Sequence, residues 1–185
     1  MKLPIVAYGD PVLKKVCEDI DQNYPKLDTL IADMFETMYH ANGVGLAAPQ
    51  IGLPIRLFIV DTRADEDEPP FKKVFINAQI LEETGEPWAF NEGCLSIPDV
   101  REDIMRKPNI LIRYYDENWN LFEENYDGFT ARVIQHEYDH IEGKLFTDKL
   151  SLLRKQLIKG RLDAISKGRV STDYKMKFPK VNKKR

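Results

Sequence analysis

Most features that would send a chain out of the cell, into a membrane or onto nucleic acid are scarce in this sequence. Its 185 residues hold two cysteines, Cys17 and Cys94, too few for the disulfide framework of a small secreted domain. Each therefore serves packing or chemistry, and Cys17 reads as packing. No apolar run approaches the roughly 20 residues that cross a bilayer. The opening residues, with Lys2 and Pro4 among them, are interrupted too soon for a signal peptide. The expectation is a cytoplasmic protein with no membrane contact. A net charge of −3 gives no basis for binding free nucleic acid. The charge is uneven, however: residues 61–68 are acidic, while Lys175, Lys177, Lys180, Lys183, Lys184 and Arg185 make a basic tail. Histidine is also scarce, with three in the chain.

What is present suits one domain with a substantial core. Leu27, Leu30, Ile31, Met34, Phe35 and Met38 recur at helical spacing and predict a helix over 25–41, stopped by Asn42-Gly43. Residues 43–52 are small and read as a loop where backbone can approach a ligand. Strands are predicted over 55–60, 73–80, 86–90, 110–115 and 121–126, the last two joined as a hairpin by Asp116-Glu117-Asn118. A helix follows, capped by Asp127 and stopped by Gly143. A last helix over 151–167 carries Leu153, Leu157, Leu162 and Ile165 as its apolar stripe. The fold class is α+β: antiparallel sheets around a central metal-binding helix, with a C-terminal amphipathic helix.

Two of the three histidines stand four apart in His136-Glu137-Tyr138-Asp139-His140. On a helix, that spacing places both imidazoles on one face, able to meet one metal ion. Glu137 lies at the edge of that face, within reach of a water beside the metal, so the set is suited to metal-assisted hydrolysis. Catalytic sites of this kind usually take a third protein ligand. In common H-E-x-x-H peptidases, the alternative function for this chain, it lies downstream. Here no histidine follows His140, and Glu142, the one later glutamate, is too near to turn back. Upstream, Cys94 stands in a segment, 91–98, that reads as a turn closed by Pro98. Its thiolate would complete a Cys-His-His set.

Residues 43–50 (Gly-Val-Gly-Leu-Ala-Ala-Pro-Gln), 92–96 (Glu-Gly-Cys-Leu-Ser) and 135–140 (Gln-His-Glu-Tyr-Asp-His) together resemble, in order and spacing, the three motifs of peptide deformylases. The likeness spans roughly residues 5–150; with no linker to divide the chain, residues 1–150 read as a single catalytic domain and 151–185, the helix and basic tail, as part of it. The likeness implies hydrolysis of the N-formyl group from nascent polypeptides that begin with formylmethionine, releasing formate. Cys94, His136 and His140 would hold one divalent metal, Fe2+ natively, with Zn2+, Ni2+ or Co2+ also accepted. Glu137 would act as base and then acid, with the Gln50 amide and the Leu95 backbone N–H as donors to the oxyanion. Gly45 would pair with the substrate backbone, and Val44, Gly93, Phe129 and Val133 would contact the substrate. Arg132 would border the pocket with its charge at the rim.

Secondary expectations concern neighbouring residues. Glu92 and Arg101 would form an ion pair holding the Cys94 turn. Asp139 would be solvated or bonded to a ligand histidine, and His40 would simply favour the carbonyl end of its helix. The resemblance also implies a ribosome contact through the C-terminal helix and tail. Truncation after Gly168 would then spare activity on short formyl peptides.

Overall fold

Why Leu57–Val60 is apolar without a break becomes plain from what lies on either side of it. In this computed structural model, which describes residues 1–62 and 71–180, strand β3 (Leu57–Asp61) is buried on both faces. The first strand is β1 (Ile5–Val6), and helix α1 (Leu27–His40) and strand β2 (Gly45–Ala47) precede β3. Then come β4 (Lys72–Thr84), β5 (Trp88–Cys94), β6 (Ile97–Arg106), β7 (Asn109–Tyr115), β8 (Leu121–Tyr126), α2 (Gly128–Ile141), α3 (Leu152–Ser166) and β9 (Met176–Lys177). Most of the acidic segment and the end of the basic tail, residues 181–185, lie outside the described residues.

Five strands form an antiparallel sheet in the order β2-β3-β4-β7-β8. Successive side chains of a strand face opposite ways. Leu57, Ile59, Val74 and Ile76 accordingly pack with Ile31, Met34 and Met38 of α1. Phe58, Val60 and Phe75 pack with Ala131, Ile134 and Ile141 of α2 on the other face. The sheet thus separates the two helices. β5 and β6 form a separate antiparallel hairpin, and a third cluster joins Ile97, Val100 and Ile104 of β6 to Ile158, Leu162 and Ile165 of α3. β1 and β9 pair in parallel. No described helix is long and apolar enough to cross a membrane.

The α+β class and the central helix agree with expectation, and Asp116 closes the β7–β8 turn by accepting from the Asn118 and Asn120 N–H groups. Three details differ. Residues 45–47, read as loop, are the edge strand of the five-stranded sheet. The segment read as a turn closed by Pro98 leads into β6, whose inward positions alternate regularly but include Glu102 and Arg106. On α3, Leu153 and Leu157 are 66% and 64% exposed, and the buried stripe is Ile158, Leu162 and Ile165.

Candidate metal centre and substrate cavity

The H-E-x-x-H segment occupies the last two turns of α2. Gly143 ends that helix with φ +69, and a side chain there would strike the Lys14 carbonyl at 2.6 Å. From the β5–β6 hairpin, Cys94 is carried to the same place. One ligand atom each from Cys94, His136 and His140 lies within 4.8 Å of the others, with Cys94 Sγ and His140 Nε2 3.4 Å apart. His136 Nδ1 donates to Glu92 Oε2 at 2.9 Å, which fixes the tautomer and leaves Nε2 as the donor to a metal. Although burial opposes it, hydrogen bonds with Cys94 and Glu92 raise His136 well above an ordinary imidazole. Burial, followed by the charges of His136 and Arg106, drives His140 well below. A site that draws a proton onto one ring between a sulfur and a carboxylate suits a cation, and a sulfur with two imidazoles suits a borderline-soft one. The residues fit a divalent metal.

Glu137 is buried, and burial pushes its carboxyl up to about 7, with His136 pulling it back and Glu92 adding to the rise. Its Oε2 lacks a hydrogen-bond partner, as do His140 Nδ1 and Arg132 Nε, and these are the buried side-chain atoms so left among the described residues. All three belong to α2. Native proteins rarely leave such atoms unpaired without a functional reason. Gly45 makes room for the carboxylate, since a Cβ there would lie 2.5 Å from Glu137 Oε1. Gln50 is buried in the turn after β2. Its Oε1 accepts from the Ala47 N–H at 2.8 Å, which turns Nε2 towards Cys94 Sγ at 3.5 Å and Ser96 Oγ at 3.4 Å.

A cavity of about 590 Å³ opens on this cluster. Val44, Gly45, Gln50, Gly93, Leu95, Phe129, Arg132, Val133 and Glu137 line it with Cys94 and His136, while His140 is buried behind. The structure therefore brings together the residues singled out from the sequence. Four of their surroundings differ from expectation. Arg132 is 2% exposed, so its charge is not at a rim. Its Nη1 donates to Glu92 and the Ile104 carbonyl and its Nη2 to the Trp88 carbonyl, with the guanidinium 4.6 Å over the Trp88 ring. Glu92 pairs with Arg106 at 2.7 Å, as well as with Arg132 and His136, and not with Arg101. Against the effect of burial, hydrogen bonds from His136 and Arg106 hold Glu92 well below the usual carboxylate range. Arg101 instead binds the Asn91 side chain and carbonyl, and a Cβ at Gly93 would meet its Nη1 at 2.7 Å. Asp139 is buried and accepts from Arg106 Nη1 at 2.7 Å rather than from a histidine.

Sequence reasoning missed Arg106, Phe90 and residues 171–174, all of them at or behind the cavity. Arg106 was visible only as a charge in an unrecognised strand, and the last four carry no motif. Because residues 171–174 line the cavity, truncation after Gly168 alters the substrate site as well as the tail.

The sequence profile of the family described as Polypeptide deformylase matches residues 2–156. A peptide deformylase of Christiangramia forsetii is 61% identical, covering 100% of both chains, and one of Flavobacterium psychrophilum is 60% identical over the same extent. Among solved structures, a peptide deformylase from Legionella pneumophila is 37% identical with a TM-score of 0.81, covering 91% of this chain and 98% of that one. The peptide deformylase of Thermotoga maritima is 39% identical with a TM-score of 0.73, covering 82% and 99%.

Proposed function

This chain belongs to the polypeptide deformylase family, and from that premise we propose which of its residues carry out the reaction. As a peptide deformylase it removes the N-formyl group from nascent polypeptides. Water adds to the formyl carbon, the C–N bond breaks, and formate leaves a free amino terminus. The family is metal-dependent, and Cys94, His136 and His140 would hold the ion. Its contribution when bound is Lewis acidity, polarising the formyl oxygen and acidifying a water. Iron(II) is our assignment for the native ion; the donor set also accepts zinc, nickel or cobalt.

Glu137 takes the proton of the attacking water and returns it to the departing amine, as base and then acid. The observation that carries this assignment is its unpartnered buried Oε2, on a residue that lines the same cavity as Cys94 and His136. Gln50 Nε2 and the Leu95 N–H donate to the developing oxyanion. The bond from Ala47 holds the Gln50 amide in that orientation before substrate arrives. β2 is the edge of its sheet, so the substrate backbone adds beside Gly45 as a further strand. Val44, Phe129 and Val133 receive the methionine side chain, with Gly93 beside them and Arg132 as the buried floor.

Residues 1–150 make up the catalytic domain, and 151–185 belong to it. The location is the cytoplasm, where nascent chains are made. α3 docks on the ribosome: exposed Leu152, Leu153 and Leu157 stand beside exposed Lys155, Lys159 and Arg161, a surface suited to mixed protein and RNA.

The test is formate release from formyl-Met-Ala-Ser, with the peptide bonds followed in the same sample. Formate should appear while the peptide stays whole, and cleavage at an internal bond would point instead to a peptidase. Gln50→Ala should lower kcat by about 10²–10³-fold and alter KM far less. An undiminished kcat removes Gln50 from the oxyanion site.

A further inference from the structure

Ser171, Thr172, Asp173 and Tyr174 line the substrate cavity although the family profile ends at residue 156. They come from the stretch between α3 and β9, which returns to the cavity and is secured there. The Ile5 N–H donates to the Lys175 carbonyl at 2.8 Å and the Ala7 N–H to the Lys177 carbonyl at 2.9 Å. Thr172 Oγ1 donates to the Tyr174 carbonyl at 2.7 Å. The Tyr174 ring packs against the α1 cluster, and its hydroxyl donates to the Leu95 carbonyl at 2.8 Å. One residue on, the Ser96 carbonyl accepts from the Tyr8 N–H at 2.9 Å.

The turn after Cys94 is thus held by a residue near the first strand and a residue near the last. Leu95 N–H and Leu95 C=O flank one Cα, so anchoring the carbonyl restricts the rotations that would swing the N–H away. Preorganised donors stabilise an oxyanion because they need not reorient as charge develops. We propose that Tyr174 is a positioning residue for deformylation: its phenol fixes the Leu95 carbonyl and so keeps the Leu95 N–H aimed at the formyl oxygen. The inference rests on the assignment of that N–H as an oxyanion donor. A phenol is a donor at neutral pH, and burial raises the pKa of this one further.

The experiment compares holoenzyme carrying Tyr174→Phe or Ile110→Ala with the unaltered protein, using formyl-Met-Ala-Ser. kcat is taken per metal-loaded, folded molecule, and metal content and Tm are measured alongside. Tyr174→Phe keeps the ring and removes only the donor. Its kcat should fall about tenfold with KM within about twofold and metal content unchanged. Ile110→Ala opens a cavity in the cluster between the five-stranded sheet and α2, which holds neither Leu95 nor Tyr174; its Tm should fall and its kcat should hold. An unchanged kcat in Tyr174→Phe overturns the proposal. So does an equal loss of kcat in Ile110→Ala, which would trace the effect to lost stability alone. Gln50→Ala separates this failure from a deeper one. If its kcat is also unchanged, the oxyanion assignment falls and takes this inference with it; if it drops while Tyr174→Phe does not, only the role of Tyr174 is lost.

Discussion

Helices α2 and α3 have nearly the same length, 14 and 15 residues, and opposite habits of burial. α2 buries Arg132, Gln135, Glu137, Asp139 and His140 together with its apolar side chains. α3 buries only Ile158, Leu162 and Ile165 and exposes Leu152, Leu153 and Leu157. One helix hides charge and the other shows leucine. Buried charge is tolerated only where partners compensate it, and α2 has them in Glu92 and Arg106, supplied by the β5–β6 hairpin. That hairpin also carries Cys94, so the support of the helix and the third ligand arrive on one piece of structure. Exposed leucine on α3 has no internal compensation, which is the physical reason to look for a partner outside.

Substitutions that reverse these habits should differ greatly in effect. The largest is expected at Glu137. Glu137→Gln keeps the shape of the side chain and removes the base, so kcat should fall about 10²–10⁴-fold with circular dichroism and metal content unchanged. Formate release at the original rate would exclude Glu137 as the base. Next comes Arg106→Leu, which takes from buried Glu92 one of its cationic partners and from Asp139 the guanidinium it accepts from. Stability in urea should fall by about 3–5 kcal/mol, as when one partner of a buried ion pair is removed. A loss below about 1 kcal/mol would mean that the network relaxes freely. The smallest concerns α3. Leu153→Ser with Leu157→Ser should change stability by less than about 0.5 kcal/mol per site while weakening co-sedimentation with ribosomes. Identical co-sedimentation of altered and unaltered protein would end the docking proposal. These point changes leave residues 171–174 in place, as a truncation after Gly168 does not.

The chemistry of α2 was legible because His136, Glu137 and His140 lie within five residues of one helix, where spacing alone fixes a shared face. Cys94 was legible as a donor and became specific through its motif. The strand β6 was not, since its inward Glu102 and Arg106 break the apolar alternation that marks a strand. Those side chains face inward because Arg154 and Glu92 wait for them, and no local pattern reports a partner that far away. On α3 the sequence offers two stripes, Leu153 with Leu157 and Ile158 with Leu162 and Ile165. Periodicity cannot say which one a neighbouring hairpin will cover. Arg132 was misread for the opposite reason: a charged side chain beside a pocket usually reaches water, but Glu92 and the Trp88 carbonyl draw this one inwards. Tyr174 left no local signal at all, because its contact with Leu95 depends on the return of the chain through β9.

That return gives the molecule a particular order of completion as it is synthesised. Ile5 leaves the ribosome well before its pairing partner, Met176, which belongs to the last described strand. Such distant pairings form late, after local helices and hairpins. Until β9 has emerged, the growing chain can assemble α2 and the Cys94 hairpin but not the tie from Tyr174 to Leu95. While still being made, an enzyme that trims newborn chains therefore has a substrate wall that is among the last of its described parts to close.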